Sequence, residues 1–288
     1  MFKIGIIGSE NSHAAAFMNI FQSDPAYSDI KVVGVGGIDA ECNKKLYEEF
    51  KLDFIADKPE DMLGKVDAVM ITARDGIYHA PYARPFLDDK LPMFIDKPFT
   101  VDQNEAVEFA QEAKKRGVLL TGGSSLKNCY DILMLKNEVQ KDRSAVHGGT
   151  IIAPLNMNNP YSGFFFYSSH LAEMSLTVFG YDPEEITAFE NNGNVTAVCR
   201  YKDFDVANLF MNGCYKYFGQ VVTKDRVYSR DVDESLIYKH ECDEFVRMLR
   251  KSEMPRSYEE LVAPVFYLNA IKQSYEKNRT VKIDKFKI

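Results

Sequence analysis

Residues Lys3-Ile4-Gly5-Ile6-Ile7-Gly8-Ser9-Glu10-Asn11-Ser12-His13 join an unbroken apolar run to a glycine turn and then to an alanine-containing helical stretch. A strand, a tight turn and a helix in that order open a βαβ unit, and the turn is where a dinucleotide-binding loop sits in such units. The pattern recurs downstream. Short apolar runs at 30–35, 68–72, 93–95 and 118–121 alternate with helical periodicity over 13–22, 40–50, 77–88 and 101–115. Such alternation predicts a doubly wound parallel sheet covered on both faces. Arg116-Gly117 closes the last of these helices as a basic residue followed by glycine.

After a helix expected near 127–140 the character changes, and β-branched and aromatic residues separated by turn chemistry take over. Asn192-Gly193 between 186–190 and 195–201 is a hairpin signal, because a type I′ turn needs two residues that tolerate positive φ. Breaks at Lys202-Asp203 and Lys224-Asp225 extend it into an antiparallel meander. A meander does not continue a parallel sheet by simple winding. The expectation is therefore an α/β chain of two domains: a Rossmann-type dinucleotide-binding domain over 1–122, and over 123–288 an α+β substrate-binding and oligomerisation domain with a mostly antiparallel open sheet. Two helices, over 235–250 and 257–277, finish the chain, the second capped by Ser257 after Pro255.

Composition narrows the partners. The 288 residues carry 35 basic and 42 acidic side chains, net −7, with no basic stripe, which argues against nucleic acid and anionic membranes. Five cysteines, with no C-x-x-C pair among Cys42, Cys129, Cys199, Cys214 and Cys242, argue against a zinc site or a disulfide framework, so no metal is expected. No apolar run approaches the roughly 18 residues of a membrane helix, and the N-terminus enters a strand directly. A cytoplasmic protein with a small polar substrate is the expectation.

The glycine turn departs from G-x-G-x-x-G. With Gly8 as the first glycine, the second position is Glu10 and the third His13. A carboxylate at the second position repels phosphate unless it turns outward, whereas a helix start, with Ser12 as its cap, still offers free N–H groups and a positive dipole end. Gly8, Ser9, Glu10, Asn11, Ser12 and His13 are thus the candidate phosphate turn. The acid that grips the adenosine ribose should follow the second strand, and Asp39 is the one in reach. Capping the helix that starts at Ala40 is its alternative role. No Arg stands beside it, so NAD and NADP are both open. Asp96-Lys97-Pro98 follows a strand, and the proline fixes the turn so that Lys97 is held at the carboxyl edge of the sheet, where ligands of open α/β folds bind. Its ammonium suits a substrate oxygen or a nicotinamide carboxamide.

On these residues the chain resembles the Gfo/Idh/MocA oxidoreductases, the family of glucose-fructose oxidoreductase and inositol dehydrogenase. The resemblance spans nearly the whole chain. It rests on Gly5-Ile6-Ile7-Gly8, on Thr72 with His79, on Asp96-Lys97-Pro98 where the family usually has Glu-Lys-Pro, and on Ser169-His170-Leu171-Ala172-Glu173-Met174. It implies NAD(P)-dependent hydride transfer at a carbinol carbon of a sugar, cyclitol or polyol, and a homo-oligomer formed through the C-terminal sheet. By the same resemblance Lys97 lies beside nicotinamide and substrate oxygen and stabilises a developing alkoxide, and Thr72 and His79 line the cofactor. His170 exchanges the hydroxyl proton. Tyr167 and Glu173 are further candidate substrate contacts.

One departure bears on the chemistry. The family's Asp four residues before the histidine is Phe166 here, within Phe164-Phe165-Phe166-Tyr167. An acid-free aromatic wall is expected to leave the His170 tautomer unfixed. Besides a dehydrogenase or reductase, two other readings follow: a regulatory relative without hydride chemistry, to which Glu10, Gly37 and Phe166 point, and an enzyme using tightly bound nicotinamide for transient oxidation.

Overall fold

The computed structural model describes residues 1–288. Its first sheet contains β1 (Phe2–Ile7), β2 (Ile30–Gly36), β3 (Phe54–Ala56), β4 (Ala68–Ile71), β5 (Met93–Ile95) and β6 (Leu120–Gly122). All six strands are parallel in the order β3-β2-β1-β4-β5-β6. Ile4, Ile6, Val69 and Met70 are wholly buried, as continuous apolar strands between two helical layers must be. Helices α1 (Ser12–Ser23), α2 (Ala40–Phe50), α3 (His79–Ala83) and α4 (Gln103–Arg116) make the crossovers.

Two expectations needed correction here. β3 escaped notice because three residues carry no periodicity, although Gly34 on β2 leaves room for the Phe54 ring. The helix expected over 77–88 is instead the five-residue α3 between two short 3₁₀ turns, because Pro81 and Pro85 lack the N–H that a longer helix needs.

The second sheet has the order β12-β11-β7-β10-β9-β8-β13. Its strands are β7 (Val146–Leu155), β8 (Glu185–Asn191), β9 (Asn194–Arg200), β10 (Asp205–Asn212), β11 (Phe218–Thr223), β12 (Val227–Asp231) and β13 (Val281–Lys282). Asn192 (φ 52°) and Gly193 (φ 78°) make the expected hairpin turn. The meander holds from β8 to β10 and then breaks, because β7 lies between β10 and β11 and runs parallel to β10. Helices α5 (Tyr130–Lys141) and α6 (Phe164–Phe179) cover this sheet. Twelve of the sixteen residues of α6 are buried, so it has no polar stripe and its sequence reads as an aromatic run rather than an amphipathic helix.

The last helices, α7 (Ile237–Lys251) and α8 (Tyr258–Lys277), return to the first sheet. Phe245, Val246, Met248 and Leu249 of α7 pack with Ile4, Ile6 and Phe17. Leu261, Val262, Val265 and Phe266 of α8 join Ile7, Val69 and Phe109, while Tyr267, Leu268 and Ile271 enter the core of the second sheet. A cut at 122/123 therefore separates the sheets but not their cores. Ser257 caps α8 in a reciprocal box with Glu260.

Candidate functional site

Three chain segments meet at the carboxyl edge of the first sheet: the turn after β1, the Asp96-Lys97 segment after β5, and Gly122-Gly123-Ser124 after β6. The first turn of α6 lies over them. Lys97 is 7% exposed, and its Nζ donates to the Phe166 carbonyl at 3.1 Å while lying 4.0 Å from the centre of the Phe166 ring. His170 follows four residues later on α6, one turn along the same face. The ammonium thus lies against the first turn of the helix that carries the imidazole, and its charge acts on His170. Burial pushes the Lys97 ammonium below its ordinary range, against the pull of Asp96 and Glu241. Burial, then the charges of Lys97 and His13, push His170 well below 6.5, so the imidazole is neutral at pH 7.

Phe166 does not leave the imidazole unfixed, which corrects the expectation drawn from its lost carboxylate. Ser124 Oγ stands 2.7 Å from His170 Nδ1 and takes over the orienting contact. Ser124 is wholly buried. Glu173, offered as a substrate contact, turns away. It pairs with Arg256 at 2.8 Å and accepts from the Ser124 N–H at 3.4 Å, with the pair wedged against Gly123, where a Cβ would collide with it. Arg256 also donates to the Gly122 carbonyl at 2.6 Å. The pair therefore props up the Ser124 turn. Tyr167 is half-buried beside Tyr215 and stays a substrate candidate.

Behind Lys97 the carboxylate of Asp96 is wholly buried and meets His13 Nδ1 at 2.6 Å and the Asn11 amide at 3.3 Å. His13 stands where the fingerprint has its third glycine, and Tyr238 of α7 packs edge-on against it. Burial would raise the Asp96 carboxyl, but His13, with Lys97 and His79, outweighs burial and holds it at about 2. Glu244 is likewise held at about 2, since Lys127 and Arg256, with hydrogen bonds from Thr121 and Asn128, overcome its burial.

These two carboxyls set an acid limit. Both folded values lie below the roughly 3.9 and 4.3 of unfolded Asp and Glu, so their contribution to stability is complete above about pH 4 and is lost as pH falls toward about 2. The urea-unfolding free energy should fall with acid over that window, and Glu244→Gln should flatten the slope. An unchanged slope in the variant would show that Glu244 does not carry this linkage.

The remaining candidates divide. Gly8 has φ 117°, and a Cβ there would collide with the backbone of Ala73, so the turn packs flush against the end of β4. Asn11, not Ser12, caps α1, accepting from the His13 N–H. Ser12 is exposed, and Ser9 Oγ donates to Asn43. Asp39 caps α2 through the Cys42 N–H with one carboxylate oxygen, so the cap role is present and the second oxygen accepts no protein hydrogen bond. Thr72 donates back to the carbonyls of Ile7 and Gly8, and both nitrogens of the buried His79 face carbonyls, of Pro98 and Ala73. Thr72 and His79 thus tie the turns after β1, β4 and β5 together beneath the site.

Glu10 did not turn outward. Its Oε1 accepts the Arg74 N–H at 3.1 Å, and its Oε2 is buried without a donor, 2.9 Å from where a Cβ on Gly37 would lie. An acceptor lacking a donor at the end of β2 suits a ribose hydroxyl, which can donate, and repels a phosphate, which cannot. Beyond it a cleft opens between Gly37, Ile38, Asp57, Lys58 and Tyr82, on the adenosine side of a Rossmann sheet. The residues present therefore fit a dinucleotide, with Glu10 and the turn from Gly8 to His13 on its ribose and phosphates and Lys97 at its far end. Ser124, Arg256 and the His13–Asp96 contact escaped the sequence reading. The rule that ligands gather at strand carboxyl ends would have pointed to Ser124, two residues past β6.

Comparison with known proteins agrees with this geometry. Residues 2–124 match the Gfo/Idh/MocA family model, described as an oxidoreductase family with an NAD-binding Rossmann fold. The structure superposes on myo-inositol dehydrogenase from Lactobacillus casei in complex with NAD(H) and myo-inositol, with TM-score 0.85, 16% identity, and 100% of this chain and 98% of that one covered. It is similar to myo-inositol 2-dehydrogenase from Lactobacillus plantarum at TM-score 0.84 and 14% identity, covering 98% and 99%. For scyllo-inositol dehydrogenase from Lactobacillus casei with NAD(H) and scyllo-inositol the values are 0.83 and 12%, covering 98% and 99%. No curated protein sequence matches the chain. No helix is long and apolar enough to cross a membrane. At these identities the superpositions speak for the fold alone: residues 2–124 match the Gfo/Idh/MocA oxidoreductase family model, and along its whole length the chain carries the two-sheet fold of the dehydrogenase structures named above.

Proposed function

We propose that the protein is an NAD-dependent oxidoreductase acting at a carbinol carbon of a small sugar, cyclitol or related polyol. The observation that carries this reading is the Lys97 ammonium held against the Phe166 carbonyl, with His170 one turn further along α6, at the carboxyl edge of a sheet whose first turn suits a dinucleotide. The nicotinamide, when bound, supplies or accepts the hydride. Lys97 and His170 hold the substrate oxygen, stabilise charge developing on it and exchange its proton, while Phe166 and Tyr167 wall the site from water. The inositol and NAD(H) bound by the fold relatives support this substrate class.

Glu10 and Asp39 place two carboxylates near the end of β2, the Arg74 guanidinium lies over the Tyr161 ring, and a ribose 2′-phosphate would meet more negative than positive charge there, with Lys58 as the cation lining the cleft. This favours NAD over NADP. Titration with each reduced dinucleotide, followed by its own fluorescence in a protein without tryptophan, should give saturable enhancement with NADH and at least about tenfold weaker binding of NADPH. Turnover should then be sought with inositol isomers and hexoses. Absence of binding by either dinucleotide would defeat the proposal, and tighter binding of NADPH would reverse the cofactor choice. Phe189 and Val198 leave the outer face of the second sheet apolar and exposed, and this is the surface through which we place a homo-oligomer.

A further inference from the structure

Ser124 decides what His170 can do. Its hydroxyl has one proton to donate and accepts through two lone pairs. One lone pair is already taken, because Ser124 caps the 3₁₀ turn that follows it and accepts the Leu126 N–H at 3.2 Å. The only other polar atom within reach of Oγ is His170 Nδ1, at 2.7 Å. Were Nδ1 to carry a proton and donate it, Oγ would accept twice and its own proton would be buried with no acceptor. A buried hydroxyl avoids that state. If Oγ donates to Nδ1 instead, every group at the contact is satisfied and the imidazole proton resides on Nε2. Nε2 has no protein partner and is not among the buried unpartnered atoms, so it faces the open side of the site.

We infer that Ser124 is a positioning residue that holds His170 in the Nε2–H tautomer, making the imidazole a fixed hydrogen-bond donor to the substrate oxygen and leaving Lys97 as the group that carries the proton. This deepens the proposed oxidoreductase reading and rests on it for the identity of the reaction. It also reverses the assignment that the family resemblance implies for the pair. A neutral imidazole with its proton on Nε2 has no lone pair facing substrate with which to accept a hydroxyl proton. Lys97 does, once its ammonium has lost a proton, and its desolvated setting favours that loss. In the oxidative direction the substrate O–H breaks and its proton passes to the Lys97 Nζ lone pair. The C–H bond on the same carbon would break with its electron pair leaving as hydride, which a bound nicotinamide would accept, and His170 Nε2–H would donate to the carbonyl oxygen that results. The reductive direction is the reverse, with the Lys97 ammonium as acid.

The surroundings agree. Burial first, and then the neighbouring Lys97, keep a second proton off the His170 ring against the pull of Asp96. Tyr217 packs edge-on against the imidazole at 5.6 Å between centres. The turn bearing Ser124 is pinned by the Glu173 and Arg256 contacts already described, so the serine does not swing away.

The tautomer is read directly from the ring-nitrogen shifts in long-range ¹H–¹⁵N correlation spectra of the uniformly labelled protein. There are five histidines, and His170→Asn identifies the signal. His170 should show a pyrrole-like Nε2 and a pyridine-like Nδ1 that hold between about pH 6 and 8, where an ordinary histidine titrates. Ser124→Ala should move both nitrogens toward intermediate shifts, and Ser124→Thr, which keeps the hydroxyl, should restore them. A pyrrole-like Nδ1 in the wild type, or a tautomer indifferent to Ser124→Ala, overturns the inference. So does a His170 that titrates near 6.5. None of these measurements needs turnover: if the dinucleotide titration fails while the tautomer is as described, the reaction is wrong and the Ser124–His170 contact stands. With substrate in hand, Ser124→Ala should lower kcat at least tenfold with KM changed far less.

Discussion

Lys97→Ala should lower kcat by at least about a hundredfold, and His170→Ala by a comparable factor, because each removes a group aimed at the one oxygen whose charge changes in the reaction. The expectation follows from where the ammonium is held. Lys97 meets only the Phe166 carbonyl and ring on the protein side, so its remaining N–H bonds are free for substrate. Stability should change little in Lys97→Ala, since Asp96 keeps its contacts with His13 and Asn11. Lys97→Arg separates charge from proton transfer: a guanidinium keeps the cation but does not give up a proton near neutral pH, so it should rescue substrate affinity and not turnover. Wild-type kcat in both alanine variants, measured with the substrate that the inositol and hexose series yields, would remove Lys97 and His170 from the chemistry.

The largest loss of stability should come from Arg256→Ala. Its guanidinium is 11% exposed and Glu173 is 4% exposed, and no second cation reaches Glu173 when the arginine is gone. Breaking a buried pair by removing one partner costs about 3–5 kcal/mol, because the survivor remains as a charge in the interior. In urea unfolding this should appear as a lower midpoint with the slope kept. The double variant Arg256→Met with Glu173→Gln should recover most of the loss, since two uncharged groups replace the pair. A penalty under about 1 kcal/mol for Arg256→Ala would mean that water reaches Glu173 and the pair is not a buried prop. The same variant should disturb the His170 nitrogen shifts, because Arg256 and Glu173 hold the turn that carries Ser124.

The parallel sheet was legible because β1, β2, β4 and β5 are apolar on both faces and separated by amphipathic stretches. The Asn192-Gly193 hairpin was legible because positive φ at two adjacent residues leaves few amino acids to choose from. What escaped was set by contacts between residues far apart in the chain. α6 is hydrophobic on all sides because two layers enclose it, and a local window reads that as a strand-rich aromatic run. β7 slipped between β10 and β11 by a choice of neighbour that no turn signal records.

The site divides in the same way. Lys97 and His170 stood out because their placement after a strand and the family resemblance both marked them. His13 opposite Asp96, 83 residues apart, and Ser124 opposite His170, 46 apart, are ordinary residues until the fold brings them together. Asp39 was divided between ribose and helix cap because both roles need an acid at that position, and only the fold shows the Cys42 N–H on one of its oxygens. Glu10 read as an obstacle to phosphate, and the sequence could not show that it bends back onto the Arg74 amide.

The return of α7 and α8 to the first sheet dictates an order of events during synthesis. A ribosome that has released residues 1–122 has made every strand of that sheet, yet Phe245, Leu249, Val262 and Phe266, which close its two apolar faces, lie more than a hundred residues downstream and are still to be translated. Until those later residues emerge, the nascent sheet exposes oily surface on both sides, the state in which chaperones find their clients. A gene truncated anywhere before α8 should thus yield an aggregating product rather than a free-standing nucleotide-binding fragment, and joining the chain's old ends while opening it at the β8–β9 hairpin is the rearrangement that would bring those helices out early.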